Sequence, residues 1–79
     1  MNRKQLENRI KKFQKTMQKG DSAELRYEGE TLGRYDFDGE LTIDSKTPLQ
    51  WLRQCLCFDV EFRGRDIEKV ELIINNIKQ

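Results

Sequence analysis

Three carboxylates at alternate positions are the residues whose types and spacing most directly suggest chemistry in this sequence. Asp36, Asp38 and Glu40 lie two residues apart in the segment Asp-Phe-Asp-Gly-Glu. Carboxylates gathered this closely along a chain can bind divalent cations or transfer protons. The segment does not match an EF-hand loop, because its glycine comes too early and Thr47 stands where that loop needs glutamate. We therefore predict an acidic face and no metal site.

The same segment resembles a motif of the haloacid-dehalogenase phosphohydrolases, Asp-Phe-Asp-Gly-Thr-Leu. The resemblance covers Asp36-Phe37-Asp38-Gly39-Glu40-Leu41-Thr42. It would imply a nucleophile at Asp36, an acid/base at Asp38 and Mg²⁺ between them. Glu40 stands where that family has threonine, and residues 32–35 lack the pattern of a buried parallel strand. The alternation followed by Asp-Gly instead predicts a hairpin turn, so we predict that the protein is not an enzyme and has no cofactor.

Histidine is absent, and Cys55 and Cys57 are the only cysteines. The chain therefore lacks the commonest general base and metal ligand near neutral pH. Two thiols cannot complete a four-ligand zinc site within one chain, and a disulfide across one residue would be strained. We interpret both cysteines as small apolar residues. Because no apolar stretch approaches the length of a membrane span or a signal core, we expect a cytoplasmic protein with no membrane contact.

Charge is strongly segregated along the chain. Residues 1–19 carry seven basic residues against one acidic residue, whereas the whole chain has a net charge of +1. Residues 20–50 carry eight acidic residues against three basic ones. A protein with one basic and one acidic face suits recognition of another protein better than recognition of DNA. It would also suit head-to-tail self-association.

The lysines of the first segment lie opposite its apolar stripe on a helical wheel. Apolar residues from Leu6 to Met17 recur at spacings of four, three and four, which predicts a helix that faces the sheet. Lys11, Lys15 and Lys19 stack at i,i+4, and each such like-charge pair costs about 0.2–0.5 kcal/mol. This pattern indicates an anion-binding face, and the alternative is a solvated helix. The basic candidates are Lys4, Lys11, Lys12, Lys15, Lys19, Arg63 and Arg65.

The first half of the chain reads as a helix followed by a meander. The helix covers residues 2–19, and Gly20 suits its C-terminal cap. Residues 23–28, 31–37 and 40–44 alternate between apolar and polar, which predicts three antiparallel strands.

A second, shorter helix is predicted over residues 47–56. Thr47 and Gln50 form a capping box, and Pro48 suits the first helical position. Trp51 lies on the apolar stripe of this helix. We expect Trp51 in the core, and if it is exposed it becomes a natural anchor for an interface.

The last part of the chain is read as two strands. Residues 58–63 alternate, which directs Phe58 and Phe62 inward, and Arg63 and Arg65 then flank a hairpin tip. Residues 67–77 fit either a strand or a helix. We favour the strand, because the asparagine pair at positions 75–76 argues against a long helix.

These elements predict one small α+β domain over residues 1–79. The predicted order is α-β-β-β-α-β-β, with helices packed on one face of an antiparallel sheet. We expect a non-catalytic protein that binds another protein as an inhibitor, adaptor or regulator, like the accessory proteins of phages and mobile elements. The alternative is a nucleic-acid-binding accessory factor that uses the lysine face. A homodimer is a further alternative, because so short a chain buries only about 60–65% of its unfolded surface.

Overall fold

A computed structural model describes residues 1–77 and contains two helices and a three-stranded sheet. The main elements are α1 (Arg3–Thr16), β1 (Ser22–Tyr27), β2 (Glu30–Asp36), α2 (Pro48–Leu56) and β3 (Val70–Asn75). A π-helical turn (Cys57–Phe62) directly continues α2, and a 3-10 turn (Ile67–Lys69) leads into β3. The predicted α+β class is therefore confirmed.

The sheet is antiparallel and has the order β2-β1-β3, so that β1 is central. Leu25 of β1 lies opposite Gly33 of β2 and Leu72 of β3. Alternation along β1 directs Leu25 into the core, whereas Arg26 is exposed on the other face. Both helices cover the core face, and the opposite face of the sheet is open.

The helices form an antiparallel pair above the sheet. A guanidinium N–H of Arg53 in α2 donates to Glu7 of α1 at 3.2 Å, and the N–H of Leu49 donates to Gln14 at 3.3 Å. The Arg53 hydrogen bond is the largest cause that lowers the pKa of Glu7. Beneath the helices lies a buried apolar cluster, made of Leu6, Ile10, Phe13, Ala23, Leu25, Trp51, Leu52, Leu56, Val70 and Leu72.

Helix α1 begins as predicted but ends earlier. Asn2 and Gln5 form a reciprocal capping box at its start. At its end, the carboxylate of Asp21 accepts from the N–H of Gln18 at 2.9 Å, and the N–H of Asp21 donates to the carbonyl of Gln18 at 2.8 Å. This tight turn, with Gly20 at φ +94°, redirects the chain into β1. The predicted helix over residues 2–19 is therefore too long at its C-terminus.

The predicted third strand over residues 40–44 is wrong. The segment is irregular, because local polar groups satisfy its backbone in place of a neighbouring strand. Asp38 accepts from the N–H of Glu40 at 3.1 Å, and Ser45 accepts from the N–H of Thr42 at 3.0 Å. Ile43 is consequently 98% exposed instead of facing the core.

The predicted strand over residues 58–63 is also wrong, because α2 continues through it as a π-helical turn. The N–H of Arg63 donates to the carbonyl of Phe58 at 3.0 Å, an i to i+5 hydrogen bond. The helical path ends at Gly64 with φ +74°. Four-residue spacing then places Phe58 and Phe62 on one side of the turn, whereas strand alternation would have turned both into the core.

The last element is the strand that the sequence favoured. Val70 and Leu72 enter the core from β3. Asp66 caps the preceding 3-10 turn by accepting from the N–H of Glu68 at 3.0 Å. No helix within residues 1–77 is long and apolar enough to cross a lipid bilayer.

Candidate functional site

Two exposed phenylalanines form the most unusual surface of the molecule. The rings of Phe58 and Phe62 are stacked, with centroids 5.7 Å apart and an interplanar angle of 19°. Phe58 is 55% exposed and Phe62 is 80% exposed. The guanidinium carbon of Arg63 lies 5.9 Å from the centroid of Phe58. We call Phe58, Phe62 and Arg63 the aromatic surface.

Contacts on both sides hold the aromatic surface in place. Asp59 is buried beneath it, and its carboxylate lies 3.7 Å from the guanidinium of Arg63. The carbonyl of Asp59 accepts from the N–H of Arg65 at 3.0 Å. On the other side, Arg3 of α1 forms an ion pair with Glu61 at 3.4 Å. The two rings therefore project from an anchored turn.

The composition of the aromatic surface matches that of an interface centre. Exposed apolar patches on soluble proteins commonly mark binding sites, and aromatic residues with arginine carry much of the energy of protein interfaces. Short π-helical segments also occur frequently at functional sites. Sequence reasoning missed this surface because it assigned residues 58–63 to a strand. The available signal was the i,i+4 spacing of Phe58 and Phe62, matched by Asp59 and Arg63.

Four of the predicted basic residues lie on the solvent side of α1 as expected. Within residues 1–77, none of these lysines forms an ion pair with a carboxylate, although all are exposed. We call this group the lysine face, and its members are Lys4, Lys11, Lys12 and Lys15. Lys11 is attracted to Glu7 more weakly than Arg53 and Arg3 are, and the lysine face otherwise keeps its charge exposed to solvent.

Lys19 does not belong to the lysine face. It lies beyond the end of α1, so it does not stack on Lys15. Its side chain packs against Gly39, where an added Cβ would come within 3.2 Å of the Lys19 Cβ. The predicted stack of three lysines therefore reduces to Lys11 and Lys15.

The two predicted arginines occupy separate places and do not form a cationic hairpin tip. Arg63 belongs to the aromatic surface. Arg65 forms an ion pair with Glu30 at 3.1 Å, and its guanidinium carbon lies 5.3 Å from the ring centroid of Tyr27. Arg65 therefore fastens the end of the β1–β2 hairpin and is not available as a free cation for a polyanion.

The predicted acidic residues lie at the end of β2 and in the irregular segment after it. Asp36 ends β2, and its carboxylate accepts from the guanidinium of Arg34 at 3.0 Å. Asp38 and Glu40 lie in the irregular segment that follows. Within residues 1–77 no cluster of acidic or cysteine side chains could hold a metal ion.

The open face of the sheet is a paired surface of both signs. Glu24 accepts hydrogen bonds from Arg26 at 2.9 Å and from the hydroxyl of Thr31. These hydrogen bonds lower the pKa of Glu24, and the bond from Arg26 contributes most. On the strands, the carboxylates of Glu24 and Asp36 are thus neutralised by neighbouring arginines. This pairing weakens the predicted acidic docking face.

Trp51 is a core residue and not an exposed anchor. It is 7% exposed, and its ring centroid lies 5.9 Å from that of Tyr35. Gly33 lies beneath the indole, because an added Cβ there would meet the Trp51 Nε1 at 3.5 Å and the Cys55 Sγ at 2.8 Å. The conditional role of Trp51 as an interface anchor is therefore excluded in this fold.

The two cysteines differ in exposure, and we expect them to differ in reactivity. Burial raises the pKa of the Cys55 thiol, and the nearby carboxylate of Asp59 raises it further. Cys57 is exposed on the π-helical turn. Because the thiolate is the reactive form, iodoacetamide at neutral pH should modify Cys55 at least about tenfold more slowly than Cys57.

Mass spectrometry with fragment-ion assignment measures both rates in one peptide. Under denaturing conditions the two cysteines should react at similar rates, which controls for intrinsic reactivity. Equal rates in the folded protein would contradict the buried position of Cys55.

A groove lies between α1 and β3, on the side of α1 away from α2. Its volume is about 300 Å³. Arg9, one of its cations, already donates to the carbonyl of Leu72 at 2.7 Å. The groove is lined by Arg9, Lys12, Phe13, Thr16, Ile74 and Asn76.

The surface of the molecule thus presents an aromatic surface on the π-helical turn and a lysine face on α1. The Arg3–Glu61 ion pair joins the elements that carry them. The aromatic surface offers apolar contact, and the lysine face offers attraction for negative charge. Comparison of the chain with protein-family models, with curated proteins and with solved structures finds no match.

Proposed function

We propose that this chain is a non-catalytic protein that binds another protein through the aromatic surface. In this role it acts as an inhibitor, adaptor or regulator of its partner. The observation that carries the proposal is the stacked, exposed pair of Phe58 and Phe62 on an anchored turn. Because both phenylalanines are mostly exposed, they add little to the stability of the fold. A partner that covers them would remove their apolar surface from water, which favours binding.

The energetic scale supports a protein partner. Complete burial of a phenylalanine side chain contributes about 1.5–3 kcal/mol. Because the rings are already stacked and the turn is anchored by Arg63–Asp59 and Arg3–Glu61, little ordering is needed on binding. Arg63 is ion-paired with Asp59, but 45% of its side chain is exposed, against 16% for Arg65, so its guanidinium can also meet a carboxylate at the rim of the interface.

The lysine face has a supporting role in this proposal. Its charges lie on α1, which the Arg3–Glu61 ion pair joins to the π-helical turn. Unpaired surface lysines attract a partner with an acidic surface and raise the association rate more than the final affinity. We therefore infer a partner surface with an apolar pocket and nearby carboxylates.

A nucleic-acid partner is the second candidate, and the lysine face is the observation that favours it. Lysines without carboxylate partners can neutralise phosphates, and exposed rings can stack on bases. This candidate predicts a steep loss of affinity with salt, whereas an interface with an apolar centre weakens less.

Affinity capture from a lysate of the native host distinguishes the two candidates. The tagged wild type is expected to retain one dominant protein after nuclease treatment. The double variant Phe58→Ser/Phe62→Ser should lose that protein, because it removes the apolar centre of the interface. Ile43→Ser is the matched control, since Ile43 is 98% exposed in the irregular segment before α2 and its replacement should leave capture unchanged.

A charge variant completes the experiment. Lys11→Glu/Lys15→Glu should reduce capture less than the phenylalanine variant if the partner is a protein. Retention of nucleic acid, or of proteins that disappear with nuclease and with the lysine variant, would replace the first proposal by the second.

A further inference from the structure

The two edges of the sheet differ in their hydrogen bonds to the rest of the chain. Along β3, the terminal ammonium of Met1 donates to the carbonyl of Val70 at 3.0 Å. Arg9 of α1 donates to the carbonyl of Leu72 at 2.7 Å. These contacts occupy the outward carbonyls of Val70 and Leu72, so the first half of this edge offers no free acceptors to a further strand.

Within residues 1–77, the outer edge of β2 has no hydrogen-bonded neighbour. Just beyond β2, the N–H of Phe37 donates to the carbonyl of Asp21 at 2.9 Å, so the odd-numbered residues bond toward β1. Alternation therefore directs the backbone N–H and C=O groups of Arg34 and Asp36 outward. Among residues 1–77, no hydrogen bond outside the sheet satisfies these outward groups. An uncovered edge of this kind is a template for another strand.

We propose that this edge pairs with β2 of a second copy of the chain, in an antiparallel register that sets Arg34 opposite Asp36 of the other copy. In this register each Arg34–Asp36 pair exchanges two backbone hydrogen bonds, and a two-fold axis passes at Tyr35. The sheets of the two copies then form one continuous six-stranded sheet. This proposal is independent of the aromatic surface.

Charge complementarity selects both the occupant and the register. Arg34 and Asp36 carry opposite charges two residues apart and form an ion pair with each other at 3.0 Å, and more than half of each side chain stays exposed on the open face, where it can also meet the other copy. An antiparallel copy of the same strand presents the same two charges in reverse order, so that both cross-strand pairs are attractive. The register that sets Arg34 opposite Arg34 would place like charges together. Charged side chains usually protect a strand edge against pairing, but the two charges of this edge are complementary to those of an antiparallel second copy.

The interface should be short and the dimer weak. The pairing of β1 with β2 shifts register between Leu25 and Arg26, which limits the regular part of the edge to Gly33 and the residues after it. An interface of this length is at the small end for specific association.

Sedimentation velocity over a range of concentrations tests the proposal by charge exchange. The wild type should show a concentration-dependent dimer. Arg34→Asp and Asp36→Arg should each raise the dimer dissociation constant at least about tenfold, because both cross-strand pairs become repulsive. An equimolar mixture of the two variants should recover the dimer, since both carboxylates of one chain then face arginines of the other. The double variant Arg34→Asp/Asp36→Arg should also recover it.

Controls separate this interface from other effects. Arg26→Asp makes the same charge change on the same open face but on the central strand, and it should leave the dimer intact. Circular dichroism checks that each variant is folded. A wild type that stays monomeric up to about 1 mM overturns the proposal. A dimer that survives both single variants, a mixture that fails to recover it, or a dimer abolished by Phe58→Ser/Phe62→Ser also overturns it.

Discussion

Truncation of Phe58 and Phe62 to alanine is expected to weaken binding of the captured protein partner at least about a hundredfold. Both rings are mostly exposed, so their loss opens no cavity in the fold. The partner, in contrast, loses the apolar contact at the centre of the interface. The affinity should be measured by calorimetry, and the free energy of unfolding should fall by no more than about 1 kcal/mol, because Phe58 is partly buried.

The matched control for this prediction is Ile43→Ala. Ile43 is also exposed and apolar, but it lies in the irregular segment before α2. Its truncation should leave the affinity unchanged. A similar affinity for the wild type and the double phenylalanine variant would show that the rings are not part of the interface.

Leu25→Ala is expected to lower the free energy of unfolding by about 2–5 kcal/mol. Leu25 is fully buried at the centre of β1, between Gly33 on one side and Leu72 on the other. Because small domains are stable by only about 5–15 kcal/mol, this single change removes a large part of the stability. Urea unfolding can be followed by the fluorescence of Trp51, the sole tryptophan, which is buried in the same core.

Ile73→Ala controls for the loss of an aliphatic side chain in the sheet. Ile73 is half-buried on β3, and it lies opposite Glu24 on the open face. Its truncation should cost less than about 1 kcal/mol. Equal losses for Leu25→Ala and Ile73→Ala would contradict the assignment of the core to one face of the sheet.

Elements with local signals could be predicted from the sequence. The capping box at Thr47 is formed in the structure, and both helices begin where their patterns place them. The strands β1 and β2 follow the apolar alternation of their segments, and β3 is the favoured alternative for its segment. In these elements, local propensity and burial agree.

Segments without a decisive local signal fold differently from their pattern. Residues 40–44 alternate, yet the side chains of Asp38 and Ser45 bind their backbone, and no strand in the part of the chain that the structure describes pairs with them. Residues 58–63 also alternate, but α2 continues into them before Gly64 ends it. A short apolar pattern fits both the two-residue period of a strand and the 3.6-residue period of a helix. In residues 58–63 the helix that precedes them continues, so the segment is helical.

The candidate site could be predicted only in part. Charge segregation identifies the lysines of α1, because a helical wheel needs only sequence. Asp36 pairs with Arg34, and Glu30 pairs with Arg65, through contacts that depend on the fold. The sequence therefore overestimates the number of carboxylates without a basic partner. The exposure of Phe62 follows from the helical path of its segment, which the alternation conceals.

Photocrosslinking at position 62 tests the central claim most directly. Phe62 is replaced by photoreactive benzoylphenylalanine, and the protein is irradiated in its native host. We expect a covalent adduct with one dominant protein, and no such adduct when the probe replaces Ile43. Adducts with nucleic acid at position 62, or no adduct there while a probe at Lys11 crosslinks strongly, would contradict the claim that the aromatic surface binds a protein.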